Sequence, residues 1–146
     1  MMYAIQDDIK AIVDSLSNEG IAFEDKTILV TGGAGFLGSW ICDVLFGLKG
    51  KILCLDNLSS GRIDNIENLL DSEKFRYIEH DISKPIFFDE NIDILLHFAS
   101  RASPLEFTKF PIQILKANTL GTWISLGIAK KHDARFVLAS TSEVYG

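Results

Sequence analysis

The chain has 146 residues, 47% of them hydrophobic and 23% charged, and a formal net charge of −6 at pH 7. This length predicts one domain large enough to bury a core, and the acidic balance argues against nucleic acid as a partner. The sequence shows no signal-peptide pattern and no apolar run of about 18 residues, so we expect a cytoplasmic protein without membrane association. The spacing of its two cysteines matches no zinc or redox pattern, so we expect buried free thiols and no metal.

A helix is predicted at the start of the chain, because apolar residues recur at helical spacing within residues 3–17: Ile5, Ile9, Ile12, Val13 and Leu16. Asn18-Glu19-Gly20 follows as a helix stop. The helix precedes the first predicted strand, so we assign residues 1–25 to a leader helix appended to a domain at residues 26–146. It can pack on the sheet edge, on a partner subunit or, most simply, on its own domain.

A glycine-rich turn follows the first predicted strand. Residues 26–38 read KTILVTGGAGFLG: an apolar run suited to a buried strand, then Gly32, Gly35 and Gly38, with Phe36 and Leu37 opening a helix. Such glycines permit a tight turn, close approach to a pyrophosphate and close helix–strand packing. The helix start offers unpaired N–H groups and a positive dipole end to phosphates. Alone, the turn equally fits an ordinary strand–helix connection.

An acidic residue ends the second predicted strand, and together with the glycine turn it is specific evidence for dinucleotide binding. The apolar run at residues 51–55 leads into Asp56, close to the ~20-residue offset of a ribose-binding acid. A carboxylate there can accept hydrogen bonds from both ribose hydroxyls of NAD and repels the 2′-phosphate of NADP. Because a charge-assisted hydrogen bond contributes about 1.5–3 kcal/mol, we expect NAD to bind roughly tenfold more tightly or better. Arg62 is a nearby cation that could weaken this preference.

The next segments add strands whose ends carry small or polar residues. The turn-rich loop Asn57–Arg62 is predicted to enclose the adenosine end of the cofactor, and a short helix is expected at residues 63–70. Residues 75–79 alternate like a strand, and Asp81 after them fits an adenine acceptor or a helix cap or turn former equally. Residues 92–98 predict a fourth strand. His97 within it can be an acid–base group or a packed residue, and we favour the packed residue.

The last third of the chain predicts a loop, a long helix and a fifth strand. Ala99 and Ser100 follow strand four as small residues that permit close cofactor approach, and residues 101–110 read as a loop. Residues 111–131 read as one long amphipathic helix, interrupted on one side by Asn118 and Gly121. Glycine within a helix costs roughly 1 kcal/mol, which a close contact with a strand or cofactor would explain. Residues 135–139 predict strand five, and Ser140 follows it.

Strands alternating with helices predict an α/β fold, a doubly wound parallel sheet of the Rossmann type with order 3-2-1-4-5. Ligands of such sheets bind at the carboxyl ends of the strands near the switch between strands 1 and 4. Residues singled out above fall at these ends: Gly32, Asp56, Asp81, Ala99 and Ser140. No G-x-x-x-x-G-K-[ST] sequence occurs, which argues against a nucleoside triphosphatase.

The ordered motifs TGGAGFLG, LDNLSSG, HDI, HFAS, NTLGT and ASTSEVYG resemble the extended short-chain dehydrogenase/reductases that act on nucleotide sugars, the NAD-dependent epimerase/dehydratase family. Within it, ASRASP followed by Pro111 and Asn118 is most similar to the UDP-glucuronate decarboxylases. The resemblance runs from Lys26 to Gly146. It implies a lyase with NAD as cofactor that oxidises the sugar C4 hydroxyl of a UDP-sugar, releases CO₂ from the resulting β-keto acid and restores the alcohol. It also implies a homodimer.

The resemblance further implies roles for individual residues. Thr141 resembles the hydroxyl that bonds the reacting sugar oxygen, and Ser142 and Glu143 resemble the neighbouring active-site pair. The NAD contacts implied by the family come from the turn and the loops after strands two and three: Gly32, Gly35, Phe36, Leu37, Gly38, Asp56, Asn57, Ser60, Gly61, Arg62, Asp81 and Ile82. To these the strand ends and the interrupted helix add Ala99, Ser100, Asn118 and Ser140.

The carboxylates after Thr141 help to distinguish the reactions of the family. The 4,6-dehydratases carry Asp then Glu, and simple 4-epimerases usually lack the Glu, so the single acid at Ser142-Glu143 favours decarboxylation. Epimerisation and dehydration remain alternatives, as does Glu143 as an exposed surface acid. Arg101 departs from the Pro or small residue usual in the family. It could meet a substrate carboxylate or phosphate, or be solvated.

The family's general base, a Tyr in a Y-x-x-x-K motif, is not found in these residues. Tyr3, Tyr77 and Tyr145 are not followed four residues later by Lys, and no sugar-binding domain follows. We therefore expect these residues to bind NAD weakly at most, not to turn over, and to belong to a longer enzyme that covers strand five, an open edge. The alternative is a stand-alone NAD-binding or regulatory module, and a coding sequence continuing past Gly146 with Tyr-x-x-x-Lys would exclude it.

Overall fold

The structure, a computed structural model, describes residues 2–146, with side chains from Gln6 onward. A parallel five-stranded sheet has the order β3-β2-β1-β4-β5, as predicted. Its strands are β1 (Thr27–Thr31), β2 (Lys51–Asp56), β3 (Phe75–Glu79), β4 (Ile94–His97) and β5 (Arg135–Leu138). The fourth strand is shorter than the predicted 92–98. Because β1 lies between β2 and β4, its carboxyl end is the centre of the predicted crevice.

Helices cover both faces of the sheet: α1 (Met2–Asn18), α2 (Phe36–Gly47), α3 (Pro104–Lys109), α4 (Pro111–Lys116) and α5 (Thr122–His132). No helix in the described residues has the length and apolarity to cross a membrane. Nor do these residues include a group of three or more side chains suited to holding a metal ion.

Three further predicted elements differ from the structure. The helix expected at residues 63–70 consists of two 3₁₀ turns, and the loop expected at residues 101–110 contains α3, which begins at Pro104. The long helix expected at residues 111–131 is divided into α4 and α5 by a π turn at Ala117–Gly121. At this turn a Cβ on Gly121 would lie 3.0 Å from Ile82 Cγ2 and 3.6 Å from His97 Cε1. Of the two contacts that would explain Gly121, with a strand or with a cofactor, the structure shows a contact with His97 of β4, beside a closer one with Ile82.

Burial on both faces explains the continuous apolar runs of the central strands. On one face the side chains of β1 and β2 pack with α2, through residues such as Val30, Cys42 and Cys54. On the other they pack with β4 and α5, through residues such as Leu29 and Ile128. The sheet ends that carry the candidate site are therefore fixed by a core on each side.

Helix α1 packs against α2 of its own domain. A Cβ on Gly47 would lie 2.7 Å from Val13 Cγ2, so glycine at this position lets the two helices approach closely. The segment after α1 is attached by the Phe23 N–H, which donates to the Leu48 carbonyl at 2.8 Å. The helix thus covers α2 rather than the sheet edge.

Candidate functional site

The glycine turn between β1 and α2 is folded too tightly against its own and neighbouring backbone for side chains at Gly32 and Gly38. Gly32 has a φ of 71°, in the left-handed region that favours glycine. A Cβ on it would lie 2.8 Å from the backbone of Phe98 and Ala99. A Cβ on Gly38 would lie 2.1 Å from the Gly32 carbonyl oxygen. The predicted tight turn and close packing are confirmed, and Ala99 is brought directly against the turn.

The start of α2 faces solvent at this turn. Gly35 is the N-cap residue and no side chain caps the helix. Phe36 and Leu37, in the first turn, have 76% and 61% of their surface exposed. Because the first N–H groups of a helix lack partners within it, this end can donate hydrogen bonds to a phosphate.

Gly33 was not singled out by the sequence, although it forms the floor of the turn. A Cβ on it would lie 2.6 Å from Cys54 Sγ and 3.3 Å from Cys42 Sγ. Both thiols are free and buried, which confirms the prediction of buried thiols. Their mutual hydrogen bond and then burial raise the pKa of Cys42 well above its usual value, so it stays uncharged. Only the packing of α2 on β2 shows this contact, because the two cysteines are 12 residues apart in sequence.

Asp56 ends β2 beneath the turn and is 7% exposed. Its Oδ2 accepts from the Ala34 N–H at 3.0 Å and its Oδ1 from the Leu58 N–H at 2.8 Å. Burial raises the pKa of Asp56, against the opposing effect of backbone hydrogen bonds from Leu58, Ala34 and Asn57. A carboxylate offers about four lone-pair directions, so Asp56 keeps acceptor capacity for a ribose. Its additional role of joining the turn to the next loop was not predicted.

The loop Asn57–Arg62 is attached to the glycine turn through Ala34. The Ala34 carbonyl accepts from the Arg62 N–H at 3.0 Å and from Asn65 Nδ2 at 2.8 Å. A Cβ on Gly61 would lie 2.9 Å from that carbonyl, which explains glycine there. Asn57 Oδ1 accepts from the Ser59 N–H at 3.0 Å. The Arg62 guanidinium pairs with exposed Asp64 at 2.7 Å, so its charge is partly neutralised.

Asp81, after β3, forms a turn with Ser83. Its Oδ1 accepts from the Ser83 N–H at 2.9 Å and from Ser83 Oγ at 2.8 Å. Burial acts to raise the pKa of Asp81, but these bonds and the charges of Lys84 and His80 together hold it below its ordinary value. Of the two predicted roles, the structure shows turn formation. Ile82 beside it is buried in the core, against Gly121.

His97 ends β4 as a packed residue, which confirms the alternative that we favoured. It is buried, with Nδ1 2.6 Å from Thr31 Oγ1 and 3.3 Å from Ser125 Oγ. Burial lowers its pKa to about 4, although a hydrogen bond to the Ala117 backbone acts in the opposite direction. His97 is therefore neutral near pH 7 and joins β1, β4 and α5 rather than facing the crevice.

The remaining predicted cofactor residues follow β4 and β5 or lie in the π turn. Ser100 is exposed after β4, and Ser140 is exposed after β5. Asn118 lies in the π turn, where its carbonyl accepts from Thr122 Oγ1 at 2.8 Å. The structure thus brings the strand-end residues to one edge of the sheet, as predicted, while their contacts with a cofactor remain predictions.

The predicted catalytic residues Thr141, Ser142 and Glu143 follow at the same edge and are exposed. Thr141 is the N-cap of a 3₁₀ turn at Ser142–Tyr145, and its Oγ1 accepts from the Glu143 N–H at 3.3 Å. Because that bond uses the oxygen as acceptor, the Thr141 O–H is left to donate to another group. The hydrogen bond of Glu143 comes from its backbone N–H and not from its carboxylate. Its catalytic role therefore remains a prediction.

Arg101 is neither solvated nor directed at open space, although solvation was one of its predicted alternatives. Its side chain is 15% exposed, and the guanidinium pairs with Glu106 and donates to the Ser59 carbonyl. Its Cζ lies 4.3 Å from the centre of the Phe110 ring. These contacts could not be predicted from the sequence, since residues 101–110 read as a loop.

The model of the NAD dependent epimerase/dehydratase family matches residues 28–146. Among curated proteins, the chain is 42% identical over 127 residues to UDP-glucuronic acid decarboxylase 1 of Arabidopsis thaliana, covering 87% of this chain and 29% of that protein. It is 46% identical over 121 residues to UDP-glucuronic acid decarboxylase 1 of Danio rerio, covering 83% of this chain and 28% of that protein. The chain therefore spans less than a third of these relatives.

Solved structures give the same fold. The UDP-N-acetylglucosamine 4-epimerase from Methanobrevibacter ruminantium M1, in complex with UDP-N-acetylmuramic acid, superposes with a TM-score of 0.74 at 30% identity, covering 85% of this chain and 40% of that one. The dTDP-glucose 4,6-dehydratase DesIV from Streptomyces venezuelae, with NAD bound, gives a TM-score of 0.72 at 26% identity, covering 82% of this chain and 41% of that one.

Proposed function

The chain belongs to the NAD dependent epimerase/dehydratase family, and from that membership we propose that it forms the NAD-binding part of a nucleotide-sugar enzyme. The proposed reaction is the decarboxylation of UDP-glucuronic acid, with 4-epimerisation or 4,6-dehydration of a nucleotide sugar as the alternatives. The observation that carries this choice is the identity to UDP-glucuronic acid decarboxylases over most of the chain. Residues 26–146 are the proposed NAD-binding domain, and residues 1–25 its appended helix.

The residues at the carboxyl edge of the sheet fit a dinucleotide. A Cβ at Gly32 or Gly38 would fill the turn, so its backbone can approach a pyrophosphate, which the open start of α2 favours electrostatically. Asp56 retains acceptor capacity for the adenosine ribose. We assign the adenosine side to the loop Asn57–Arg62 with Asp81 and Ile82. The rest of the crevice is assigned to Ala99, Ser100, Asn118 and Ser140.

Bound NAD supplies reversible oxidation at the sugar C4, and the residues after β5 act on the sugar. The Thr141 hydroxyl is free to donate to the reacting C4 oxygen, because its own oxygen already accepts from the Glu143 N–H. Once C4 is a ketone, the sugar is a β-keto acid. The bond between C5 and the carboxylate carbon then breaks, CO₂ leaves, and the electron pair moves onto the ketone oxygen. We assign Glu143 and Ser142 to the transfer of a proton to C5 after CO₂ has left.

Two further properties belong to the same proposal. We propose a cytoplasmic location, because Cys42 and Cys54 are neighbouring free thiols and a reducing compartment keeps thiols free. A homodimer is proposed because α4 and α5 expose apolar side chains, among them Leu115, Leu126 and Trp123, the last with 74% of its surface exposed.

The cofactor assignment is tested by titrating the protein, as its gene encodes it, with NAD and NADP. We expect NAD to bind roughly tenfold more tightly or better, because Asp56 accepts from the ribose hydroxyls and repels a 2′-phosphate. Asp56→Asn should reduce the ratio of the two affinities, whereas Asp71→Asn, at an exposed acid, should leave both affinities unchanged.

Using the ratio separates recognition from folding, since Asp56 also supports its loop and its loss weakens both cofactors. Tighter NADP binding by the wild type, or an unchanged ratio in Asp56→Asn, would contradict the assignment.

A further inference from the structure

Arg101 connects two loops that belong to different strands. It follows β4, and its Nη2 donates to the Ser59 carbonyl in the loop after β2. In the part of the chain that the structure describes, this is the hydrogen bond that joins the loop Asn57–Arg62 to residues 99–110. The two loops are otherwise held separately, the first by its bonds to Ala34 and Asp56 and the second by the Ala99 N–H, which donates to Thr31 Oγ1 at 3.4 Å.

The order of the sheet determines where this connection lies. β1 is between β2 and β4, so the loops that follow β2 and β4 flank the carboxyl end of β1. The glycine turn begins at that end, where Ala99 of one loop lies against Gly32, and Gly61 of the other loop lies against Ala34. Arg101 therefore joins two loops that border the turn. The same turn is the proposed pyrophosphate site.

The guanidinium is positioned from three sides. Nη1 pairs with Glu106 of α3, Nη2 reaches Ser59, and Cζ lies 4.3 Å from the centre of the Phe110 ring. Bonds from a charged donor are stronger than neutral ones, and a planar guanidinium can use two edges and a face at once. Glu106 and Phe110 come from the α3 segment, so this segment orients the arginine toward the β2 loop.

We propose that Arg101 is a positioning residue that closes the loop Asn57–Arg62 over the crevice and slows dissociation of the dinucleotide. This inference rests on the proposed function, since it assumes that a dinucleotide occupies the crevice. Arg101 acts here through Ser59 and the adenosine loop, and its charge is already paired with Glu106. It therefore differs from an arginine that contacts a substrate anion directly.

Removing the bridge should have a local effect without any cofactor. In Arg101→Ala, amide hydrogen exchange of residues 57–62 should become at least about tenfold faster, because their link to β4 is lost. Exchange in β1 and β2 should be unchanged. Lys109→Ala, which removes an exposed cation from the end of the same α3 helix, is the matched control and should change neither segment.

With NAD, the dissociation rate constant measured by stopped flow should rise about tenfold in Arg101→Ala and less in Glu106→Gln. Arg101→Lys, which keeps the charge but not the planar fork, should restore only part of the slow dissociation. Because Ser59 belongs to the adenosine side, affinity for ADP should fall as much as affinity for NAD.

Two results in Arg101→Ala would overturn the bridge: unchanged exchange at residues 57–62, or an unchanged rate constant for NAD dissociation. The second result could come together with a raised KM for the sugar. A raised KM for the sugar with NAD dissociation unchanged would mean that Arg101 contacts the substrate. If the wild type itself fails to bind NAD, the proposed function is contradicted, and the exchange experiment alone then decides whether the bridge holds its loop.

Discussion

The two ends of the proposed site differ in how the protein supports them. At the cofactor end, β1 and β2 are almost wholly buried, and the glycine turn contacts backbone and thiols at distances that leave no room for a Cβ. At the sugar end, β5 is an edge strand with Val137 and Leu138 exposed, and residues 139–146 are all exposed. Within the described residues, one end of the site is part of the folding core and the other is exposed.

This difference separates binding from chemistry. Residues that shape the glycine turn also pack the core, so we expect most changes there to alter stability and cofactor affinity together. Residues proposed to act on the sugar make few contacts, so changes there should alter turnover while the fold is retained. The comparison can be tested by substitutions chosen at the two ends and at their junction.

The largest effect is expected at the cofactor end, from Gly38→Ala. The new Cβ would lie 2.1 Å from the Gly32 carbonyl oxygen, a backbone atom that cannot move without distorting β1. Overpacking of this kind should lower the free energy of unfolding by about 4 kcal/mol, which is at the upper end for a single substitution. Urea unfolding measures it as a fall in the midpoint at a constant m-value.

Gly127→Ala is the matched control, since it makes the same chemical change within α5. Nothing lies within 4 Å of a Cβ built on Gly127. The substitution should therefore raise the free energy of unfolding by up to about 1 kcal/mol, through the helix propensity of alanine. Equal losses in the two variants would show that the turn is no more tightly packed than the helix surface.

Local pattern was sufficient to predict the buried end of the molecule. The apolar runs of β1 and β2 arise because both faces of these strands are covered, and the spacing of Gly32, Gly35 and Gly38 follows from a turn that must start a helix. The π turn was missed because it depends on Gly121 passing Ile82 and His97, which are distant in sequence. Helix α3 was missed because turn-forming residues surround it.

Within the site, position was predictable but partners were not. Asp56 was correctly placed at the end of β2, yet its bonds to Ala34 and Leu58 depend on how the turn folds back. The contact of Gly33 with two thiols and the bridge from Arg101 to Ser59 join residues from separate strands. A single sequence shows residue types at strand ends, whereas such contacts depend on the packing of the whole sheet.

His97, at the junction of the two ends, should make stability depend on pH. Its pKa is about 4 in the folded chain because it is buried, against about 6.5 when unfolded. Between these values the unfolded chain binds more protons, so the free energy of unfolding falls as pH is lowered from about 6.5 to about 4. The loss should be on the order of 3 kcal/mol, measured by urea unfolding at stepped pH.

The variant His97→Gln should be less stable at pH 7, through loss of its bonds to Thr31 and Ser125, but should lack this part of the pH dependence. His80→Gln, at a ring that bonds the Lys84 carbonyl near the surface, should keep the wild-type dependence. An equal slope in His97→Gln and the wild type would assign the acid sensitivity to other groups.

The smallest effect on stability, and the largest on chemistry, is expected at the sugar end from Glu143→Gln. Because Glu143 is exposed and its backbone alone is bonded, the free energy of unfolding should change by less than about 0.5 kcal/mol. NAD affinity should also be unchanged. If Glu143 manages the proton at C5, CO₂ release from UDP-glucuronic acid by the full-length protein should fall by about 100-fold or more.

Glu73→Gln, at another exposed glutamate, should leave CO₂ release at the wild-type rate. Unchanged turnover in Glu143→Gln would return Glu143 to the role of a surface acid. Loss of stability together with turnover would instead mean that the sugar end is coupled to the core. In that case binding and chemistry could not be altered independently, and the contrast between the two ends of the site would be wrong.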